Sequence, residues 1–80
     1  MKISVTVTLK KDVLDPQGKV VEQTLRNMGY SNVENVRQGK YFEIDIDEKN
    51  QKKAHDIATQ MCESLLANLV IEDYKVIGSQ

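Results

Sequence analysis

Residues 3–18 have the sequence ISVTVTLKKDVLDPQG, and this stretch decides the predicted fold. Its first part alternates between apolar and hydroxyl-bearing residues, the apolar ones being Ile3, Val5, Val7 and Leu9. A period of two in β-branched residues predicts a strand with one buried face. The last part is typical of a helix start, because Asp15 can accept the free N–H groups of the first turn and Pro16 has no N–H to lose. The stretch therefore predicts a strand that leads into a helix.

The predicted first helix ends at Gly29, since glycine takes a left-handed conformation without steric cost. Its apolar positions lie at helical spacing and are Val21, Leu25 and Met28. A weaker strand is predicted over residues 33–37, and residues 38–40 are typical of a hairpin turn. The strand after that turn alternates between apolar and acidic residues, and its apolar face carries Phe42, Ile44 and Ile46.

A second amphipathic helix is predicted from about residue 50 to residue 68, followed by a β-branched final strand over residues 70–77. The order β-α-β-β-α-β is that of ferredoxin-like folds. We therefore predict a single α+β domain over residues 1–80, with a four-stranded antiparallel sheet and two helices on one face. The other face of this sheet is predicted to be bare and polar, with the candidates Thr6, Thr8, Tyr41, Glu43 and Asp45.

The composition excludes several classes of protein. Eleven Lys and Arg residues against twelve Asp and Glu residues give a net charge of −1, which does not provide the basic surface of a nucleic-acid-binding domain. No stretch approaches the ~20 apolar residues that span a membrane, and the N-terminus has no apolar run of the signal-peptide kind. Cys62 is the single cysteine, so an internal disulfide is excluded and a reducing cytoplasm is the expected location. A domain of this size has a thin core, which favours oligomers.

The sequence contains no recognisable catalytic or metal-binding set. His55 is the only histidine, and without an identifiable orienting carboxylate or nucleophile it is interpreted as a surface or boundary residue. Cys62 lies next to Glu63, whose charge disfavours a thiolate, so its interpretation is a small packed hydrophobe. An acidic trio on one strand lacks calcium-loop spacing and is interpreted as a solubility feature; it consists of Glu43, Asp45 and Asp47.

Three clusters are not explained by a soluble fold alone. In residues 9–18, Gly18 falls in the first helical turn at a cost of up to about 1 kcal/mol relative to alanine; it either admits a close backbone or ligand or is simply tolerated. In residues 36–40, two cations flank a glycine, which suits an acidic patch, a phosphate or a solvated turn. In residues 65–74, an apolar run ends in residues predicted to be exposed or interfacial: Glu72, Asp73 and Tyr74.

Together these clusters resemble the PurS family of phosphoribosylformylglycinamidine synthase subunits. The most recognisable stretch is Val13-Leu14-Asp15-Pro16-Gln17-Gly18. The other motifs follow in the family's order and are Gly29-Tyr30, Val36-Arg37, Gly39-Lys40, Leu65-Leu66-Ala67-Asn68 and Val70-Ile71-Glu72-Asp73-Tyr74. The similarity covers almost the whole chain. Leu69 departs from the family's pattern, which has proline there, and this bears only on the geometry of that turn.

The resemblance implies a non-catalytic small subunit in de novo purine biosynthesis that bridges a synthetase and a glutaminase subunit and supports ammonia transfer. It implies a homo-oligomer, either a dimer or a tetramer. It also implies that this chain binds no cofactor, whereas the complex uses ATP and Mg. We expect the helix start and the 37–40 turn to contact the large subunits, and residues 68–74 to lie in the dimer or in the same interface. The predicted interface residues are Asp15, Pro16, Gln17, Gly18, Arg37, Gly39, Lys40, Asn68, Glu72, Asp73 and Tyr74.

Other functions are compatible with the same order of elements. An amino-acid-binding regulatory module of the ACT type often carries an aspartate and a glycine at the first helix start, although such modules are usually fused to an enzyme. An RNA-recognition module needs aromatic residues on its central strands, whereas Tyr41 and Phe42 lie on opposite faces of one predicted strand. Acylphosphatase-like catalysis needs an arginine-bearing phosphate cradle after the first strand, which the sequence does not contain. The ACT-type module is therefore the alternative function.

Overall fold

The structure, a computed structural model, describes residues 1–78, so the last two residues of the predicted domain lie outside it. Its strands are β1 (Lys2–Leu9), β2 (Gly39–Asp45) and β3 (Glu72–Ile77). Its helices are α1 (Pro16–Asn27) and α2 (Gln51–Met61), and α2 continues into a π-helical turn over Cys62–Leu66. The start of α1 is capped as the sequence predicts, because Asp15 precedes the helix and Pro16 lies in its first turn.

The sheet has three antiparallel strands in the order β2-β1-β3 among the described residues. Val5, at the centre of β1, lies opposite Phe42 of β2 and Val76 of β3. The predicted fourth strand over residues 33–37 is absent from this sheet, so the prediction of a four-stranded ferredoxin-like sheet is wrong. The hairpin predicted at residues 38–40 is wrong with it, because β2 begins at Gly39 without a partner strand before it.

Residues 33–38 form an extended segment, here called the strap, which is held by side chains of α1. Arg26 donates from Nε to the carbonyl of Val33 at 2.9 Å and from Nη2 to the carbonyl of Glu34 at 3.1 Å. Further along, the main-chain N–H of Val36 donates to the carboxylate of Glu22 at 3.2 Å. These bonds satisfy main-chain groups that a strand would pair with a neighbouring strand, and this is why the segment does not join the sheet.

The hydrophobic core lies between α2 and one face of the sheet. Alternate residues of β1 point into it and are fully buried, namely Ile3, Val5 and Val7. The facing positions of α2 and the π-turn are small, namely Ala54, Ala58 and Cys62. Small side chains allow the helix axis to approach the sheet closely. The opposite face of the sheet is polar, and there the hydroxyl groups of Ser4 and Tyr41 are hydrogen-bonded at 2.9 Å.

Helix α1 does not share this core, so the prediction of two helices on one face of the sheet is also wrong. None of the core residues, nor the partly buried apolar residues packed against them, comes from residues 10–38. The buried side of α1 carries Gly18 and Glu22, which face the strap, whereas Val20 and Met28 are 65% and 67% exposed. Residues 10–38 therefore form a separate unit, here called the arm, and the remainder is called the body.

The arm makes the molecule elongated. The principal extents of the molecule are 48 × 26 × 14 Å. Its radius of gyration is 15.8 Å, compared with about 12 Å for a compact domain of this length. Helix α1 ends as predicted, with Gly29 at a φ of 108°. The second helix ends earlier than predicted, because the turn after Leu66 is organised by Asn68, whose side chain accepts the N–H of Val70 at 3.1 Å. Strand β3 consequently begins at Glu72, and Leu69 lies within this turn.

Candidate functional site

The described part of the chain contains no arrangement of acidic, histidine and cysteine side chains that could hold a metal ion. Neither helix of residues 1–78 has the length and apolar character that crossing a membrane requires. His55 is exposed on α2. Cys62 is completely buried, and burial, together with the charge of Glu63, raises the pKa of its thiol. The interpretations of His55 as a surface residue and of Cys62 as a packed residue are therefore confirmed.

The carboxylate of Asp15 joins two of the three sequence clusters. Its Oδ1 accepts the N–H of Gly18 at 2.9 Å, which caps α1. Its Oδ2 accepts the N–H of Gln38, at the end of the strap, at 2.7 Å. The bond from the Gln38 N–H has the largest effect and that from the Gly18 N–H the next largest, and both hold the pKa of Asp15 below its usual value. Asp15 is only 4% exposed, so it acts as an internal connector of the arm.

Two glycines allow main-chain segments to approach each other closely. A Cβ on Gly18 would lie 2.5 Å from the carbonyl oxygen of Val36 in the strap. A Cβ on Gly39 would lie 2.5 Å from the carbonyl oxygen of Val7 in β1. Real Cβ atoms do not approach a carbonyl so closely, so both positions need glycine. Of the two interpretations of Gly18, close approach is the correct one, and the approaching group is the chain's own backbone.

The cations of the second cluster are engaged within the chain. Arg37 Nη2 donates to the carbonyls of Lys10 at 2.8 Å and Val13 at 3.0 Å, with a longer contact of 3.4 Å to that of Leu9. Lys40 Nζ lies 3.7 Å from a carboxylate oxygen of Glu72. The two cations therefore connect residues 37–40 to the first cluster and to β3, and do not form a free basic tip.

The third cluster is only partly exposed. Glu72 uses its other carboxylate oxygen, Oε1, to accept the N–H of Asn68 at 2.7 Å. Tyr74 donates its hydroxyl hydrogen to Glu63 at 3.1 Å. The pKa of its phenol is raised, mainly by desolvation and secondly by this bond. Asp73 is exposed on β3.

A cleft of about 170 Å³ brings members of all three clusters together. The predicted interface residues that line it are Asp15, Gln17, Gly39, Lys40 and Glu72. Pro16 lies just outside, on an adjacent shallow surface with Gln17 and Val20. The cleft does not include the remaining predicted residues, which are Gly18, Arg37, Asn68, Asp73 and Tyr74. The structure thus brings five residues of the predicted set together in one cleft beside the start of α1.

Sequence reasoning missed the exposed apolar surface of the arm. Its members are Leu14, Val20, Val21, Met28 and Tyr30, all exposed. Exposed apolar residues mark interaction surfaces where they form a patch. The signal that could have revealed it is the polar stripe at helical spacing on the other side of α1, made of Asp15, Gly18, Glu22 and Arg26. A helix that buries such a stripe turns its apolar side outward.

The model of the PurS family, described as phosphoribosylformylglycinamidine (FGAM) synthase, matches residues 2–80. The chain belongs to the PurS family. It is similar to the phosphoribosylformylglycinamidine synthase subunit PurS of Bacillus subtilis, with 50% identity over 74 residues that cover 92% of this chain and 87% of the relative. The corresponding subunit of Methanocaldococcus jannaschii is 37% identical over 75 residues, with coverage of 94% and 90%. The resemblance inferred from the ordered motifs is thereby confirmed.

Solved structures of PurS proteins have the same fold. A crystal structure of Bacillus subtilis PurS matches 99% of this chain and 98% of its own, with 44% identity and a TM-score of 0.86. A chain in the structure of PurLQS from Thermotoga maritima matches 98% of this chain and 95% of its own, with 33% identity and a TM-score of 0.89. The α+β class is therefore confirmed, with the three-stranded sheet in place of the predicted four-stranded one.

Proposed function

We propose that this chain is the non-catalytic small subunit of phosphoribosylformylglycinamidine synthase in de novo purine biosynthesis. In this proposal it holds the synthetase and glutaminase subunits together, so that ammonia released from glutamine reaches the synthetase. Membership of the PurS family supports the assignment to this enzyme. The similarity to a chain of PurLQS from Thermotoga maritima supports an assembly with other subunits.

The exposed apolar surface of the arm is the observation that carries a binding role. Val20 and Met28 project from a helix that contributes nothing to the core of the body. Removing apolar surface from water contributes ~25 cal/mol per Å² of favourable free energy. In the free chain these side chains remain in water, and a partner that covered them would gain this free energy. A chain that exposes these apolar side chains is suited to binding another protein, whether a second copy in a dimer or tetramer or a larger subunit.

The predicted interface residues divide into two groups under this proposal. Three of them act on the backbone and are Asp15, Gly18 and Gly39. Asp15 and Gly18 hold the start of α1 against the strap, and Gly39 lets β2 approach β1 closely. Others present side chains at the surface around the cleft, among them Pro16, Gln17 and Lys40. Both groups serve a contact with the large subunits, and residues 68–74 serve the dimer or the same contact.

The chemistry belongs to the partners in this proposal. The complex converts formylglycinamide ribonucleotide, ATP and glutamine into formylglycinamidine ribonucleotide, with ATP and Mg bound by the synthetase subunit. This chain holds no cofactor and acts by binding in the cytoplasm.

The test is glutamine-dependent formation of formylglycinamidine ribonucleotide by the purified synthetase and glutaminase subunits, with and without this chain. We expect the glutamine-dependent rate to depend on the chain, and added ammonia to replace the requirement at least in part. An unchanged rate, together with failure of the three proteins to co-elute in the presence of ADP and glutamine, would refute the proposal. Amino-acid binding detected by calorimetry would then favour the ACT-type module.

A further inference from the structure

The arm and the body are connected in only two places along the chain. One is Lys10, which follows β1, and the other is the step from Gln38 to Gly39, which leads into β2. No residue of the arm enters the hydrophobic core. Hydrophobic packing within this chain therefore does not set the angle between α1 and the sheet, and the polar contacts at the two connections must do so.

Arg37 lies across both connections. It belongs to the strap, directly before Gln38, and its Nη2 donates to the carbonyls of Lys10 and Val13 beside the other connection. Lys10 is itself fixed to the body, because its N–H donates to the carbonyl of Ile71 at 2.9 Å. The N–H of Val13 donates to the carbonyl of Lys10 at 2.9 Å, which closes the loop that Arg37 holds. One guanidinium thus ties the outgoing chain to the returning chain.

The chemistry of arginine suits this task. Hydrogen bonds from a charged donor are stronger than those between neutral groups. The guanidinium is planar and stays charged at any pH at which proteins fold, so its geometry is better defined than that of a lysine ammonium. Small changes at the joint are amplified along the arm: a rotation of about 10° displaces the far end of a 12-residue helix, about 18 Å long, by about 3 Å.

We propose that Arg37 is a positioning residue, which fixes the angle of the arm on the body and so places the apolar surface of α1 for assembly. It acts through the orientation of the arm. An arm held at the required angle loses less conformational freedom on binding than a swinging one, and this improves affinity. The link to assembly rests on the proposed function, whereas the link to the arm's angle concerns the free chain alone.

The test measures the distance between two nitroxide labels by pulsed electron paramagnetic resonance. Asn27→Cys, at the end of α1, and Asp56→Cys, on α2, provide exposed attachment sites. Cys62 is completely buried and remains unlabelled in the folded chain. Labelled chains are diluted into excess unlabelled chain so that only distances within one molecule are recorded. We expect a single narrow distance distribution in the parent and a clearly broadened or shifted one in Arg37→Met.

Arg26→Met is the matched control. Arg26 also donates to two main-chain carbonyls, those of Val33 and Glu34, but neither lies at a connection to the body. Arg37, in contrast, bonds the carbonyl of Lys10, which directly follows β1, and makes a longer contact of 3.4 Å with that of Leu9 in β1 itself. Both substitutions are expected to lower the unfolding temperature, and only Arg37→Met is expected to change the distance distribution of the folded chain. An unchanged distribution in Arg37→Met, or an equal change in Arg26→Met, overturns the assignment. If Arg37→Met does not fold, Arg37→Lys replaces it, with a broadened distribution expected and an unchanged one counting against the proposal.

The assembly step has its own readout. We expect Arg37→Met to raise the concentration of this chain needed for half-maximal glutamine-dependent activity by about five- to tenfold, with a maximal rate close to that of the parent. An unchanged half-maximal concentration together with a broadened distance distribution overturns the role in assembly. If the parent itself does not support activity, the proposed function fails, and the distance measurement still decides the role of Arg37 in the free chain.

Discussion

The carboxylate of Asp15 accepts the main-chain N–H of Gln38 at 2.7 Å, and this bond connects the start of α1 to the end of the strap. The two residues are 23 positions apart, and each belongs to a different cluster in the sequence. The same carboxylate caps α1 through the N–H of Gly18. One ionised side chain therefore stabilises both the first turn of the helix and the return of the chain towards β2.

The stability of the arm should depend on the ionisation of Asp15. The pKa of this carboxyl is lower in the folded chain than the ordinary value of 3.8 because two N–H groups bond the charged form. Its stabilising contribution is therefore complete above the unfolded-state pKa and is lost as the pH falls through the folded-state pKa. We expect thermal unfolding followed by circular dichroism to show less loss of stability below about pH 4 in Asp15→Asn than in the parent. The exposed Asp12→Asn is the control, and an equal change in both variants contradicts this assignment.

Gly18→Ala should destabilise the chain through a steric clash. The added Cβ would meet the carbonyl oxygen of Val36 at 2.5 Å and the carboxylate of Asp15 at 2.6 Å. Overpacking of this kind costs about 1–3 kcal/mol, to be measured as the free energy of unfolding in urea. Gly78→Ala is a suitable control, since its Cβ would make only an ordinary contact of 3.7 Å with Gln51. Equal stability of the two variants would show that the strap does not lie against α1.

Replacing Val20 and Met28 together by serine should weaken association without harming the fold. Both side chains are more than half exposed, so little apolar burial within the chain is lost. If the arm binds a second copy, the parent's unfolding temperature rises with protein concentration, and this dependence should become smaller in the double variant. Sedimentation and thermal unfolding at several concentrations provide the measurement. Gln23→Ser, an exposed polar position on the same helix, should retain the parent's behaviour.

Cys62 should be unreactive while the chain is folded. Its side chain is completely buried, and its pKa is raised by desolvation and by Glu63. A reagent therefore cannot reach the sulfur, and the reactive thiolate form is disfavoured. We expect a colorimetric thiol reagent to modify it only at the rate at which the protein opens, and urea to accelerate the reaction to that of a free thiol. Rapid modification under native conditions would contradict the packing of α2 on the sheet.

The sequence predicts the elements better than their arrangement. The start of α1 at Asp15-Pro16 and its end at Gly29 were predictable because capping is local chemistry. The strap was not, since residues 33–37, with two valines before the glycine at position 39, predict a weak strand. Only the bonds of this segment to Arg26 and Glu22 on a neighbouring helix decide otherwise.

The same limit applies to the candidate site. Gly18 and residues 37–40 stood out because helix capping and turn chemistry do not explain them fully, and the structure places Gly18 and Gln38 beside Asp15. The direction in which α1 faces could not be inferred with the same ease. An apolar stripe is normally taken to face the core, and here Gly18 and Glu22 of the polar stripe are buried instead.

The separation of arm and body divides the chain into two units that need not unfold together. The body is formed by the segments before and after the arm, and its central strand β1 pairs with both neighbours. Amide hydrogens of α1 should therefore exchange with solvent through a local opening that leaves the sheet intact, whereas those of Val5 and Val7 should exchange only on global unfolding. A partner that covers the arm would slow the first class of amides and leave the second nearly unchanged, so hydrogen exchange can locate the binding surface residue by residue.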